Sequence, residues 1–534
     1  MPNKIRENGA GVGIEPSARS CRDHDLSFSK GLVRETTVFS HIMNFATHVD
    51  TAARNAPDSL AVGDSRESLT FGELSQSSDR IADALAHRGV AVGDHVAISM
   101  ANSVAFVCTY LGVLKRGAVA VPLNRRFTDE QTEYVLADSD AVAVVTSRHD
   151  GAVPTAIDGE TCEYAALLGT EGGDTDVEPR RSEELAELLY TSGTTGAPKG
   201  VYHTHGNLDA NARGYIDCNR WSRDDVALTV CQCFHVTGLN ITTTPFLALE
   251  AENHLLTEWD VEAALATIER HDVTYTFLIP TMVVELLEHE HVEAYDLTSL
   301  RTVGVGGSPM PERRIAEVES ALGCTLVEGY GMTETTPLAT MNRPDDAGRK
   351  PGSVGRPVAN AVTVRIEDHR TRTPVERGER GEVLWRGDTV TPGYNRQQLT
   401  ESAFVERDGV RWLRSGDVGW MDDDGFLYIV DRLEDMFTTG CGDVYPHEIE
   451  DAIYELAAVQ QVAIVDSTDD VRGTTVTTIV TCRDGETVSA AEIKRVCERQ
   501  LESHEVPDRV VFVDEFPRTA TGKLDRGALR REFG

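Results

Sequence analysis

Residues 190–201 read Tyr-Thr-Ser-Gly-Thr-Thr-Gly-Ala-Pro-Lys-Gly-Val. Hydroxyl side chains and two glycines precede a lysine within one short stretch. Glycine lets the backbone approach an anion closely, hydroxyls and free N–H groups donate to it, and lysine adds charge. The composition reads as a phosphate-binding loop. Its spacing, Gly193-x-x-Gly196-x-x-Lys199, is not the Walker form, which needs Gly-x-x-x-x-Gly-Lys-Ser/Thr. A surface turn rich in Ser, Thr and Gly is the competing reading of the same residues. A second candidate, the Cys-x-Cys of Cys231 and Cys233, has no companion pair at zinc spacing and reads as two buried apolar thiols.

The elements that must position such a loop alternate from about residue 36 onward. Apolar runs at 95–100, 141–146, 273–280, 301–305 and 324–328 predict strands, and 104–114 predicts a helix. Residues 311–322 predict another helix: Pro311 starts it, Ile315, Val318 and Leu322 share a face, and Gly323 stops it. After about 350, Gly- and Pro-punctuated strands are expected at 381–386 and 426–430. From 432 a separate alternation begins: helix 447–457, strands 460–465 and 474–481, helix 490–502, strand 509–513. These patterns predict an α/β fold: a large N-terminal α/β domain of several subdomains over 36–431, and a small α+β domain over 432–534. Residues 1–35 lack periodicity and read as a loose extension. They also lack the apolar core of a secretory leader.

Composition narrows the partners. The chain has 534 residues, 51 basic against 87 acidic, for a net charge of −36. Only positions 4, 30, 115, 199, 350, 494 and 523 are lysine. An acidic, lysine-poor surface argues against nucleic-acid binding, which wants basic stripes. It suits a high-salt cytoplasm, where screening weakens self-repulsion. No apolar run reaches the ~20 residues a membrane span needs.

The string over 190–201 resembles the signature loop of the adenylate-forming superfamily: acyl- and aryl-CoA synthetases, peptide-synthetase adenylation domains and beetle luciferases. Other motifs follow in that family's order. Residues 328–337, Glu-Gly-Tyr-Gly-Met-Thr-Glu-Thr-Thr-Pro, resemble the motif around the adenylate. Ser415-Gly-Asp-Val-Gly through Asp431-Arg432 resembles the ribose motif and hinge. Pro517-Arg-Thr-Ala-Thr-Gly-Lys-Leu resembles the catalytic-lysine motif. Weaker matches are Phe71-Gly-Glu-Leu, Lys115-Arg-Gly-Ala-Val-Ala-Val-Pro-Leu-Asn and Gly352-Ser-Val-Gly-Arg-Pro. The resemblance covers about 36–534 and points to the acyl-CoA synthetase branch, with a small domain that is mobile.

The resemblance implies a two-step reaction. A carboxylate attacks the α-phosphate of ATP, giving an acyl-adenylate and pyrophosphate; a thiol, usually that of coenzyme A, then displaces AMP. It implies that Thr191, Ser192, Gly193, Thr194, Thr195, Gly196 and Lys199 cradle the β- and γ-phosphates. Tyr330 stacks on adenine, with Gly307 and Ser308 on the same face and Glu328, Gly329, Gly331 and Met332 around it. Thr333 donates to the α-phosphate, Glu334 holds Mg²⁺, Asp417 accepts the ribose hydroxyls and Arg432 positions ribose and phosphate. Lys523 bridges the substrate carboxylate and the α-phosphate. His235 gates the acyl pocket, whose walls include Val236, Gly238 and Val305. Glu434 is the hinge and Gly440 faces the thiol tunnel. Glu328 and Cys441 depart from the family's usual Gln/Asn and Gly.

The stretches expected to line the acyl pocket, 234–245, 279–283, 304–309 and 335–339, contain no Lys or Arg. A charged tail would lack a countercharge there, so a neutral-tailed fatty or aryl acid is expected. Beyond Lys523 the chain runs only from Leu524 to Gly534, so free coenzyme A is the expected acceptor. An enzyme that loads a separate carrier protein and an inactive nucleotide-binding regulator are the alternatives. A cytoplasmic location is expected; the oligomeric state, monomer or homodimer, is left open.

Overall fold

The computed structural model describes residues 43–148, 160–170, 176–191, 197–308, 310, 312–345, 349–359, 361–469, 473–483, 485–517 and 524–534. The N-terminal extension, the loop Ser192–Gly196, Pro311 and the stretch Arg518–Lys523 lie outside them.

Two large sheets carry the N-terminal part. One has six strands in the order Glu160–Glu163, Ala141–Thr146, His95–Ser99, Val119–Pro122, Leu185–Thr191, Lys199–Thr204. Its pairs are parallel except the last, where Leu185–Thr191 turns back antiparallel onto Lys199–Thr204. The other has nine strands. Its parallel centre contains Thr325–Tyr330, Thr302–Val305, Tyr275–Leu278 and Val226–Thr229 side by side. Parallel strands are covered on both faces and so read as continuous apolar runs; Tyr275–Leu278 and Thr302–Val305 are buried at every position. The helix Val104–Lys115 is buried at every position but Ala105, which explains its lack of an amphipathic stripe. Ser103 caps it, accepting from Phe106 N at 3.2 Å.

A five-stranded antiparallel sheet follows, built on Val362–Glu367, Gly381–Gly387, Phe404–Arg407, Val410–Met421 and Leu427–Arg432. The last hundred residues form a smaller α+β part. The strands Val459–Asp469, Gly473–Cys482 and Arg509–Phe512 carry the helices Pro446–Tyr454, Ala490–Gln500 and Arg526–Phe533. Its core joins Ile449, Ile453, Ile464, Val480 and Ile493. The fold is thus α/β with a large N-terminal and a smaller C-terminal domain. Among the described residues no helix is long and apolar enough to cross a membrane.

The predicted elements and the observed ones differ mostly at their ends. The run 273–280 forms a strand only over Tyr275–Leu278, because Pro280 opens the next helix at its first position. The run 426–430 extends to Arg432, held by the ladder to Val410–Met421. In the helix Glu312–Leu322, Ile315, Val318 and Leu322 are all buried, and Gly323 follows at φ +67°. A π-helix at Thr237–Thr243 was not foreseen; such turns often mark functional sites. Cys231 and Cys233 are buried thiols, each pushed up to about 12 by burial.

Candidate active site

Two cavities, of about 550 and 660 Å³, share the wall formed by 305–307, 329–332 and Arg432. That wall lies where the parallel strands Thr302–Val305 and Thr325–Tyr330 end, the edge at which open α/β sheets bind ligands. Gly331 allows the chain to turn there: a Cβ on it would sit 1.4 Å from the Pro337 carbonyl oxygen.

The turn after Gly331 is a single 3₁₀ turn, Thr333–Thr335. Thr333 is buried and Glu334 half-buried, and both line the first cavity. Glu334 is held twice: its carbonyl accepts from Thr391 N at 2.9 Å, and its Oε1 accepts from the Tyr394 hydroxyl at 2.6 Å. Burial and the Glu334 charge raise the Tyr394 hydroxyl far above its ordinary range, so it stays a donor. The His203 ring lies 2.7 Å from the Thr333 carbonyl.

Asp417 and Arg432 face each other across the ladder of the five-stranded sheet. Arg432 Nε lies 2.9 Å from Asp417 Oδ1, and the Tyr330 hydroxyl donates to Oδ2. Burial raises the Asp417 carboxyl; Arg432 and Tyr330 oppose that shift. Gly307, Ser308, Glu328, Gly329, Gly331 and Met332 line the second cavity with Tyr330 and Asp417. Glu328 Oε2 accepts from Gly352 N at 2.9 Å, which ties it to the Gly-Ser-Val-Gly turn.

Thr191 and Lys199 pair across the antiparallel strands and line the first cavity, so they bracket the loop Ser192–Gly196 from both sides. His235 is exposed at that cavity, with Nδ1 3.0 Å from Thr237 Oγ1. Val236 and Val305 line it as well. Gly238 does not: its missing side chain makes room for the Cys231 carbonyl, which a Cβ would approach to 2.3 Å. The stretch 279–283 lines neither cavity. Glu434 and Gly440 are exposed and line neither, and a Cβ on Gly440 would meet no described atom within 4 Å. Cys441 is exposed beside it.

Several lining residues were not singled out from the sequence. Tyr215, Tyr275, Phe277 and Met341 join Ile241 and Leu338, which belong to the expected stretches 234–245 and 335–339, in the apolar depth of the first cavity. Behind it Trp221 packs against Tyr275, with ring centroids 4.5 Å apart. Asn124, Phe127 and Gln131 reach the same cavity; Asn124 closes the motif that begins at Lys115. Trp420 and Tyr428 stack at 4.3 Å beside the second cavity, and His447 and Arg526 line it from the C-terminal part. Outside the cleft, ligand atoms of Glu252, His254 and His271 lie within 4.8 Å of one another. The two rings stack with centroids 3.7 Å apart rather than converging on a point, and His254 Nε2 already meets Glu252 at 2.6 Å.

A parallel sheet edge, a carboxylate held by a tyrosine, and an aspartate paired with an arginine beside an apolar cavity are what an adenylating site needs. The chain belongs to the AMP-binding enzyme family, which it matches over residues 49–395; the family's C-terminal domain matches over 448–523. It is 34% identical over 511 residues to an indoleacetate–CoA ligase of Aromatoleum aromaticum, covering 92% of this chain and 98% of that one. ATP-bound MatB from Rhodopseudomonas palustris superposes with a TM-score of 0.83 at 28% identity, covering 92% and 99%. O-succinylbenzoate coenzyme A synthetase from Bacillus subtilis, in complex with ATP and magnesium ion, gives 0.81 at 28%, covering 90% and 98%.

Proposed function

We infer that the protein is an AMP-forming acid–thiol ligase. It joins a carboxylic acid to ATP as an acyl-adenylate with release of pyrophosphate, then passes the acyl group to coenzyme A with release of AMP. One observation carries this reading: Lys199, Thr333, Glu334 and Arg432 stand on the wall of a single cavity whose depth is apolar.

The chemistry follows from charge. An attacking carboxylate oxygen and a triphosphate repel each other, so donors and cations must be in place before the new P–O bond forms and the bond to pyrophosphate breaks. Lys199 and Thr191 flank the phosphate loop, and the Thr333 hydroxyl serves the α-phosphate. Asp417, fixed by Arg432 and Tyr330, serves the ribose hydroxyls. Magnesium prefers carboxylate and phosphate oxygens, and Glu334 fits that preference. When bound, the ion neutralises phosphate charge. Lys523, outside the described residues, is our choice for the cation that meets the incoming carboxylate. We take residues 36–431 and 432–534 as the two domains, with Glu434 as hinge between half-reactions and Gly440 at the thiol tunnel.

The acid is neutral-tailed. The depth of the cavity offers Tyr215, Tyr275 and Phe277 and no charged side chain; Arg126, its outlying cation, is exposed. Aromatic walls favour an aryl acid, because ring–ring contacts add to simple burial. We place the enzyme in a cytoplasm, where ATP and coenzyme A are held, and in one of high salt, as the net charge of −36 suggests. The test is pyrophosphate release with Mg·ATP across aryl and aliphatic acids, with and without coenzyme A, in dilute buffer and in molar KCl. An aryl-CoA of the expected mass, formed faster in KCl, supports the reading. Adenylate without thioester would move the acceptor to a carrier protein. Faster turnover in dilute buffer would remove the high-salt habitat.

A further inference from the structure

Two buried side chains outside the roles above converge on the turn that carries Thr333 and Glu334. Glu187 and His203 pair in register on the antiparallel strands that flank the phosphate loop, and both are fully buried. The Glu187 carboxyl group takes the Tyr110 hydroxyl at 2.7 Å and Asn240 Nδ2 at 2.6 Å, and it faces His203 Nδ1 at 2.7 Å. The other ring nitrogen, Nε2, lies 2.7 Å from the Thr333 carbonyl oxygen.

The hydrogen-bond inventory fixes what Nε2 does. A backbone carbonyl only accepts, so Nε2 must carry a proton. Nδ1 then either donates to a carboxylate, as part of an imidazolium, or accepts from a protonated Glu187. Both arrangements leave Nε2 donating to Thr333. The remaining tautomer would set a lone pair against the carbonyl in a site closed to water, which costs a full unmade bond. Glu187 therefore selects the tautomer, and Tyr110 and Asn240 hold Glu187. Asn240 belongs to the segment Thr237–Thr243 that follows His235, so one network ties the phosphate strands, the acyl wall and the turn together.

We propose that His203, set by Glu187, is a positioning residue that holds the Thr333–Glu334 turn in register for Mg·ATP. This rests on the roles given to Thr333 and Glu334 above. A residue that merely packed would lower thermal stability and weaken acid and nucleotide alike; a positioning residue acts on the nucleotide selectively.

The experiment compares His203→Leu, His203→Gln and Glu334→Gln for the KM of Mg·ATP, the KM of the acid, and acid-dependent pyrophosphate exchange. His203→Leu is expected to raise the Mg·ATP KM about tenfold or more and leave the acid KM within about twofold. His203→Gln, whose amide N–H can reach the same carbonyl, is expected to stay within about threefold of the parent. It keeps the test decisive if the leucine variant fails to fold. An unchanged Mg·ATP KM in folded His203→Leu, equal loss for acid and nucleotide, or a tenfold loss in folded His203→Gln would overturn the proposal. Glu334→Gln separates the two levels. If it cripples Mg·ATP use while His203→Leu does not, only the positioning role fails; if it changes nothing, the role of the turn fails with it.

Discussion

Asp417 shows how much one residue depends on its neighbours. Burial pushes its carboxyl toward the neutral form, and the Arg432 cation with the Tyr330 hydroxyl works against that. A neutral Asn of the same shape keeps the position and loses the charge-assisted bonds, worth about 1.5–3 kcal/mol each. Asp417→Asn is expected to raise the KM for ATP about tenfold or more while leaving the acid KM within about twofold. Steady-state kinetics with each substrate varied in turn would check this, and a change below twofold in the ATP KM would remove Asp417 from the ribose. At this scale the sequence was readable where residues sit in contiguous motifs. Thr333, Glu334 and Asp417 all belong to such runs. Tyr394 could not be read, because it meets Glu334 from a turn sixty residues away and no local spacing marks it; Asn124 and Tyr428 lie inside matched runs, but nothing in those runs says that their side chains line the cleft.

Among the elements, the helix Pro446–Tyr454 concentrates the electrostatics of the C-terminal part. Its first turn places His447 beside Glu450, Asp451 and Asp431, and Arg526 closes the group with a two-pronged bond to Glu450 at 2.8 and 2.9 Å. Burial alone would lower the His447 imidazolium; the Glu450 carboxylate, 3.6 Å from Nδ1, and the charges of Asp451 and Asp431 outweigh it and raise it from 6.5 to about 9. A histidine raised on folding stabilises the fold fully below its unfolded value and loses that contribution as pH climbs through its folded value. Melting temperature should therefore fall between pH 6.5 and about 9 in the parent and fall less in His447→Gln. Parallel melting curves for the two proteins would contradict the assignment. The elements themselves were largely legible, because buried parallel strands leave unbroken apolar runs and capped helices leave Ser, Thr, Pro and Gly at their ends. The π-helix Thr237–Thr243 was not legible: its composition is that of any buried helical turn, and its register is set by Gly238 packing against the Cys231 carbonyl.

For the whole molecule, the cleft exists because three sheets meet at it. The six-stranded sheet brings Thr191 and Lys199, the nine-stranded sheet brings Tyr330, Thr333 and Glu334, and the five-stranded sheet brings Asp417 and Arg432. No one sheet holds enough charge to manage a triphosphate; together they also shape the apolar depth in which we propose the acid sits. The smaller C-terminal part reaches the second cavity through His447 and Arg526, and its sequence carries the Lys523 motif. If that part serves the first half-reaction and then turns away, Lys523 is needed in one half-reaction and not in the other. The most direct measurement is Lys523→Ala assayed in both halves separately: acid-dependent pyrophosphate exchange, and thiolysis of a supplied acyl-adenylate by coenzyme A. Exchange is expected to fall about a hundredfold or more while thiolysis stays within about threefold. Equal loss in both halves, or exchange left intact, would contradict it.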